Sequence, residues 1–171
     1  DNVQSIMKVS PRERAAKTRA QTPALLKGLI FGPGGVAMSP THTRRRQKLY
    51  CYYTSQAVLK KGAGACEVAR LPAGQIEAAV LDKLRSLIRS PELIVATFRQ
   101  LRSQGVNARE GDVRAALQQL DPLWDQLLDG EKARIVQLLV ARVDVAPNEL
   151  KIHIRTEGVG NVVRDFGQKQ L

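Results

Sequence analysis

From Leu25 onward the apolar residues come in short β-prone runs broken by glycine and proline. Gly32-Pro33-Gly34-Gly35 reads as a tight turn, Val36 to Thr43 as a strand, Arg44 to Lys48 as a hairpin tip and Leu49 to Thr54 as the returning strand. Alternation along the return strand puts Leu49, Cys51 and Tyr53 on one face and Tyr50 and Tyr52 on the other. One face can pack while the other meets a partner. Beyond a turn containing Gly62 and Gly64 the period lengthens to that of a helix and stays so for roughly seventy residues. Ile76, Val80, Leu84, Leu87 and Ile88 fall at helical spacing, with Pro72 where a first turn tolerates it. Ser90-Pro91 ends that helix and starts another carrying Ile94, Phe98 and Leu101, which Gly105 closes. Val113, Ala116, Leu117, Leu120, Leu123, Trp124, Leu127 and Leu128 define a third helical stretch, with a break or restart expected at Asp121-Pro122. Ile135, Leu138 and Leu139 mark a fourth.

The helix before Ser90 and the one after Gly111 are both amphipathic and of similar length, which predicts an antiparallel helical hairpin. Its apolar stripes either bury one another or serve a partner as a coiled coil. Near the end, Val143-Asp144-Val145 and Leu150 to Ile154 alternate with period two around Ala146-Pro147-Asn148, a second β-hairpin with Leu150, Ile152 and Ile154 facing inward. The pattern is α+β: a small β module, an antiparallel helical, coiled-coil-like hairpin and a C-terminal β-hairpin. The boundaries it suggests are a basic linker over 1–22, the β module over 23–72, the helical segment over 73–140, the second hairpin over 141–157, packing on the β module, and a tail over 158–171.

A chain of 171 residues with 43% hydrophobic content has enough apolar material for a real core. Its formal net charge of +11 is distributed very unevenly. Residues 1–62 hold 12 Lys or Arg against 2 Asp or Glu, whereas residues 63–171 hold 15 against 14. A uniform solubility charge would not divide this way, so the N-terminal third is the expected electrostatic footprint for a polyanion. The chain starts at Asp1 without a methionine and runs into a basic, polar stretch, as expected of a piece of a longer protein. Two cysteines, no secretory signal and no long apolar run point to a reduced cytoplasmic protein, without a disulfide scaffold or a membrane contact.

The densest candidate chemistry lies on the first hairpin. Ser39, Thr41, His42, Thr43, Arg44, Arg45, Arg46 and Lys48 fall within ten residues and are followed by Tyr50 and Tyr52. Arginine and lysine neutralise phosphates, hydroxyls donate to phosphate oxygens, and a two-stranded ribbon fits the major groove of B-form DNA. Lys27, Lys60 and Lys61 extend the basic surface, and Arg12, Arg14, Lys17 and Arg19 supply the linker. Three arginines at a tip can also be a solvated turn that guards a sheet edge. The charge asymmetry and the adjacent hydroxyls favour binding.

Cys51, Cys66 and His42 do not make a zinc site by spacing, because a structural site needs about four ligands, usually in close pairs. No cofactor is expected, and both thiols read as packed or inert. His42 and His153 have no neighbouring nucleophile or carboxylate in sequence. A glycine-rich phosphate loop, the paired acids of metal-dependent nucleases and an activated Ser or Cys signature are all missing from the sequence. The fragment itself reads as non-catalytic.

The run Thr22-Pro23-Ala24-Leu25-Leu26-Lys27-Gly28-Leu29-Ile30, with Ala63-Gly64-Ala65-Cys66, resembles the C-terminal region of large serine recombinases, the family of bacterial and phage integrases, resolvases and invertase-like enzymes. The likeness covers roughly residues 22–155. It implies a zinc β-ribbon entered through an "LLKGL"-like lead-in, followed by coiled-coil helices and a closing β-hairpin, with residues 1–22 ending a preceding recombinase domain. Where the family carries its first cysteine pair, this chain has Phe31-Gly32-Pro33-Gly34-Gly35, Ser55 falls at the third ligand position, and only Cys66 matches a ligand. The resemblance thus implies a ribbon without its metal, held by packing around Phe31, Leu49 and Tyr53. It further implies that the catalytic serine domain lies outside this chain, that ribbon and linker contact one duplex DNA half-site, and that the helices contact other recombinase subunits. A bacterial or phage-encoded, nucleoid-associated protein follows from the same likeness. An RNA-binding or ribosome-associated protein, its tyrosines stacking on unpaired bases, is the alternative, and a protein-binding coiled coil with a nonspecific basic anchor is a third.

Overall fold

The computed structural model describes residues 24–168. The basic linker residues Arg12, Arg14, Lys17 and Arg19 lie outside the described residues. The architecture is α+β, as the alternating and helical periods require, and it is organised around two small sheets. The first contains β1 (Ile30–Phe31), β5 (Val140–Ala146) and β6 (Glu149–Ile154) in the order β1-β5-β6, with β1 parallel to β5 and β6 antiparallel to it. The second is the antiparallel ribbon β2 (Met38–Arg45), β3 (Lys48–Ser55) and β4 (Arg70–Pro72). A 3-10 turn at Pro33–Gly35 joins the two, closed by an isolated bridge between Phe31 and Ala37.

Against the apolar pattern the first strand is shifted two residues toward the tip and the return strand is extended by one residue at each end. Arg45 still pairs with Lys48, so the tip is only Arg46-Gln47, and Arg44 and Lys48 belong to strands. Two elements next to the hairpin had no legible signal. Residues Gln56–Lys61 form the short helix α1 directly after β3, and Arg70–Pro72 add the third ribbon strand. Leu49 is 41% exposed: it lies beyond the end of the core and does not help to hold the ribbon, contrary to the packing role expected of it. Tyr53, by contrast, is fully buried.

The helices are α2 (Ala73–Ile88), α3 (Pro91–Ser103), α4 (Glu110–Trp124), α5 (Asp129–Leu139) and α6 (Thr156–Gln168). Pro91 occupies the first turn of α3, where its missing N–H is not needed, and the Ser90 hydroxyl caps it by accepting from the Leu93 N–H. At α5 the Glu131 carboxylate reaches back to the Leu128 N–H. The break expected at Asp121-Pro122 does not occur. α4 runs through Pro122 to Trp124, because Leu120 and Trp124 are both buried and Asp121 is tied to α2 by Arg85 and Arg89. The stretch read as a tail from residue 158 is also helical in the structure: it is most of α6, whose Val159 and Val162 are buried.

Burial divides into two adjoining cores. One gathers Leu25, Leu26 and Leu29 of the lead-in, Ile30 of β1 and Met38 and Tyr53 of the ribbon with Val80 and Leu84 of α2 and Val140, Val143 and Val145 of β5. The other is helical and contains Ile94, Leu101, Val113, Leu117, Trp124, Ile135 and the two α6 valines. Leu81 and Ile154 pack against both, which joins ribbon to helices. The helical stripes are therefore buried inside the chain, chiefly by one another and by α6.

Candidate nucleic-acid interface

β3 is anchored at its base and free at its tip. The Tyr53 hydroxyl accepts from the Leu26 N–H at 2.9 Å and donates to Glu77 Oε1 at 2.6 Å, and the same oxygen accepts from the Leu25 N–H at 3.0 Å. This knot fixes the lead-in segment, the ribbon and α2 to one another, and burial beside Glu77 drives the Tyr53 pKa strongly upward, so the hydroxyl stays protonated. Residues 42–50 all lie in the solvent.

One ribbon face carries the hydroxyls and two of the tyrosines. Thr41 and Thr54 share a hydrogen bond of 2.7 Å across β2 and β3, and the Gln56 amide donates to Ser39 at 3.2 Å. Arg70, which the sequence reading missed, lies on this face. Its guanidinium is 3.5 Å from the centre of the Tyr52 ring and donates to the Thr43 hydroxyl at 2.8 Å. Nothing in the local pattern marks a third strand, because the three residues of β4 are too few for a period to be read. Tyr52 thus has one face covered, whereas Tyr50 is 42% exposed.

The structure brings Arg45, Arg46, Lys48 and Tyr50 together around one cleft at the tip. Lys27 shares a second cleft with Ser39 and Gln56 near the ribbon base. His42 and Arg44 fall on the opposite face, with His42 in register with Cys51. Lys60 and Lys61 end α1, beyond the base of β3 and roughly 25 Å of strand away from the tip. The predicted residues therefore form a basic track along the ribbon, with their greatest density at its tip. Among the described residues no carboxylate pairs with Arg44, Arg45, Arg46, Lys48 or Arg70; in the rest of the chain Arg85, Arg89, Arg114 and Arg142 are paired, while others such as Arg99, Arg102 and Arg134 are not. The exposed tip keeps its charge unneutralised.

The family model of the recombinase zinc beta ribbon domain matches residues 25–85, from the lead-in through most of α2. The chain resembles the C-terminal region of a large serine recombinase. The solved structures similar to this recombinase-like chain include one described as "Sequence Requirements of the Listeria innocua prophage attP site", at 14% identity and TM-score 0.45, and one described as "Crystal Structure of a LSR-DNA Complex", at 14% identity and TM-score 0.47. Each alignment covers 90% of this chain, but only 52% and 61% of the respective partner, so the chain spans little more than half of the structures it matches. A comparison with curated proteins found no match.

The recombinase zinc β-ribbon implies a metal, and the residues of this ribbon do not fit one. The first knuckle is Gly32-Pro33-Gly34-Gly35, with no donor side chain, and the Met38 thioether lies in ordinary contact, 3.6 Å from where a Cβ at 32 would sit. At the other knuckle Ser55 is buried with its hydroxyl unpartnered, which leaves the free Cys66 as the one thiol at a ligand position; Cys51 lies further up β3 opposite His42, where burial, reinforced by Glu77, pushes its thiol up. Among the described residues no group of three or more His, Cys, Asp or Glu is placed to hold an ion. At the first knuckle, β5 supplies a cation of another kind: the Arg142 guanidinium stacks 4.0 Å from the centre of the Phe31 ring, held from below by Asp144 at 2.6 Å.

Among the described residues no helix is long and apolar enough to cross a membrane.

Proposed function

We propose that this chain is the DNA-recognition region of a large serine recombinase, and that the β2–β3 hairpin is its reading head. The observation that carries the reading is the unpaired cluster Arg44, Arg45, Arg46 and Lys48 on an exposed two-stranded ribbon, in a chain whose other part is almost neutral. A ribbon of this width enters the major groove, and its cations neutralise phosphates on either side. Lys27, Lys60, Lys61 and the linker residues Arg12, Arg14, Lys17 and Arg19 extend the track along the backbone, with Ser39, Thr41, His42 and Thr43 as neutral donors. Arg70 belongs with them, while Tyr50 packs against sugar or base.

Single-stranded RNA fits less well, because Arg70 already occupies one face of Tyr52 and leaves Tyr50 as the exposed stacking ring of the pair. In the same reading the chemistry of strand exchange belongs to a catalytic domain outside this chain. The helical part contacts other recombinase subunits through its charged outer rows, since its apolar stripes are already buried.

A salt titration tests the reading. With about five phosphate contacts, log affinity for duplex DNA falls against log salt with a slope near −4.5. Replacing Arg44, Arg45 and Lys48 with alanine lowers that slope by about 3 and weakens binding on every duplex alike. Absence of duplex binding at low salt, or preference for single-stranded RNA in direct competition, would overturn it.

A further inference from the structure

The turn that joins β2 to β3 is built from the wrong residues for its shape. Arg46 and Gln47 sit at φ +47° and +63°, and the Arg45 to Lys48 pair closes a two-residue connection around them. A hairpin turn with both central residues in left-handed backbone is the one for which Asn-Gly is preferred, since glycine has no Cβ to clash and asparagine bonds its own backbone. Arginine and glutamine have neither advantage. Among the described residues neither side chain makes a hydrogen bond or an ion pair, so nothing in the fold rewards their presence there. What the two share is base chemistry. Arginine pairs bidentately with O6 and N7 of guanine, and glutamine with N6 and N7 of adenine, both on the major-groove edge. Their Cα atoms are about 3.8 Å apart and stacked bases about 3.4 Å, so neighbouring turn residues address neighbouring base pairs.

Resting on the duplex-DNA reading above, we infer that Arg46 and Gln47 are the sequence readers of the hairpin, Arg46 taking a guanine and Gln47 an adenine at adjacent base pairs. Arg44, Arg45 and Lys48 position the ribbon on phosphates and carry no sequence information. The turn thus accepts an unfavourable backbone in order to project two long, bidentate side chains from the most advanced point of the ribbon.

The test uses the intact 171-residue chain and a pool of random duplexes. The unmodified chain enriches a motif containing guanine and adenine at neighbouring base pairs, and 7-deaza analogues at those two positions each weaken its binding about fivefold or more. The variant Arg46→Asn/Gln47→Gly, whose turn sequence the backbone prefers, melts no lower than the parent. Its affinity falls on every duplex alike, since one cation of the tip cluster is gone, and it enriches neither base. The inference is overturned, and the DNA reading left standing, if that variant selects the same motif, if the parent's motif lacks the guanine–adenine step, or if the deaza analogues leave the parent's affinity unchanged. Should the variant melt lower, the deaza measurement on the parent decides alone. Failure of the parent to bind any duplex overturns both.

Discussion

Ser55 carries a hydroxyl that the fold does not use. Its backbone N–H donates to the Ala69 carbonyl at 2.9 Å, but its side chain is wholly buried and its oxygen has no partner. An unsatisfied buried hydroxyl costs about 1–3 kcal/mol, so Ser55→Ala raises unfolding stability by about 1 kcal/mol in urea, with an unchanged dependence on denaturant. A decrease would show that the hydroxyl is satisfied in solution. Two carboxylates at this scale work in the opposite direction. Hydrogen bonds from Arg85 and then Arg89 hold Asp121 below its ordinary range, and Arg142, then His153, do the same for Asp144. A depressed carboxyl contributes stability that is fully present above its unfolded value near 3.8 and is lost as pH falls through its folded value. The stability these two pairs contribute is therefore lost as pH falls below about 4, and that part of the pH dependence disappears when Asp121 and Asp144 are both replaced by asparagine. Both pairs are partly solvated, so the effect is modest and shrinks with added salt.

At the scale of elements, α6 depends on two glycines. A Cβ at Gly158 would lie 1.8 Å from the Leu138 carbonyl oxygen, and one at Gly160 would meet a Leu101 methyl at 3.2 Å. Glycine lets α6 seat its first turn directly on the backbone at the end of α5. Gly158→Ala consequently displaces α6 and uncovers Val159 and Val162, at a cost of about 3 kcal/mol or more. Trp124, the chain's single tryptophan, is buried in the same core and reports the loss as a red shift in emission. Unchanged emission and melting would mean that α6 does not seat on α5 in this way. This helix also shows where reading the sequence stops. Helices α2 to α5 were legible because apolar residues recur at helical spacing and Ser90-Pro91 and Gly105 punctuate them. α6 was not, because its close contact is made by glycines, which carry no hydrophobic signal, and because the chain ahead of it had already been assigned to a hairpin. β4 was hidden for a related reason: its meaning comes from pairing with β3, which local pattern does not encode. Arg70 went unnoticed with it. The basic hairpin, whose signal is purely local, was legible to within two residues at each strand end, with the tip shorter than expected.

On the scale of the whole molecule, the ribbon is held by a segment more than a hundred residues away in sequence. The Val143 N–H donates to the Leu29 carbonyl at 2.8 Å, Ile30 and Phe31 pair with Val143 and Asp144, and Arg142 covers Phe31 beside the glycine knuckle. A metal clamp would have made the ribbon locally self-sufficient, since binding energy at such a site is folding energy. Here the closing contacts are long-range, so ribbon and helices should fold as one cooperative unit through the shared residues Leu81 and Ile154. Two treatments separate these situations. Prolonged exposure to a strong chelator leaves both the melting temperature and the affinity for duplex DNA unchanged, because the knuckles offer the metal no ligand set. Truncation after Leu139 removes the partner strand of β1, the buried Val140, Val143 and Val145 of the first core, and Val159 and Val162 of the second. The truncated chain then loses its single thermal transition and, with it, DNA affinity, although every residue of the basic hairpin is still present. A ribbon that stayed folded and bound DNA after truncation, or one that melted in chelator, would place the clamp back in the knuckles.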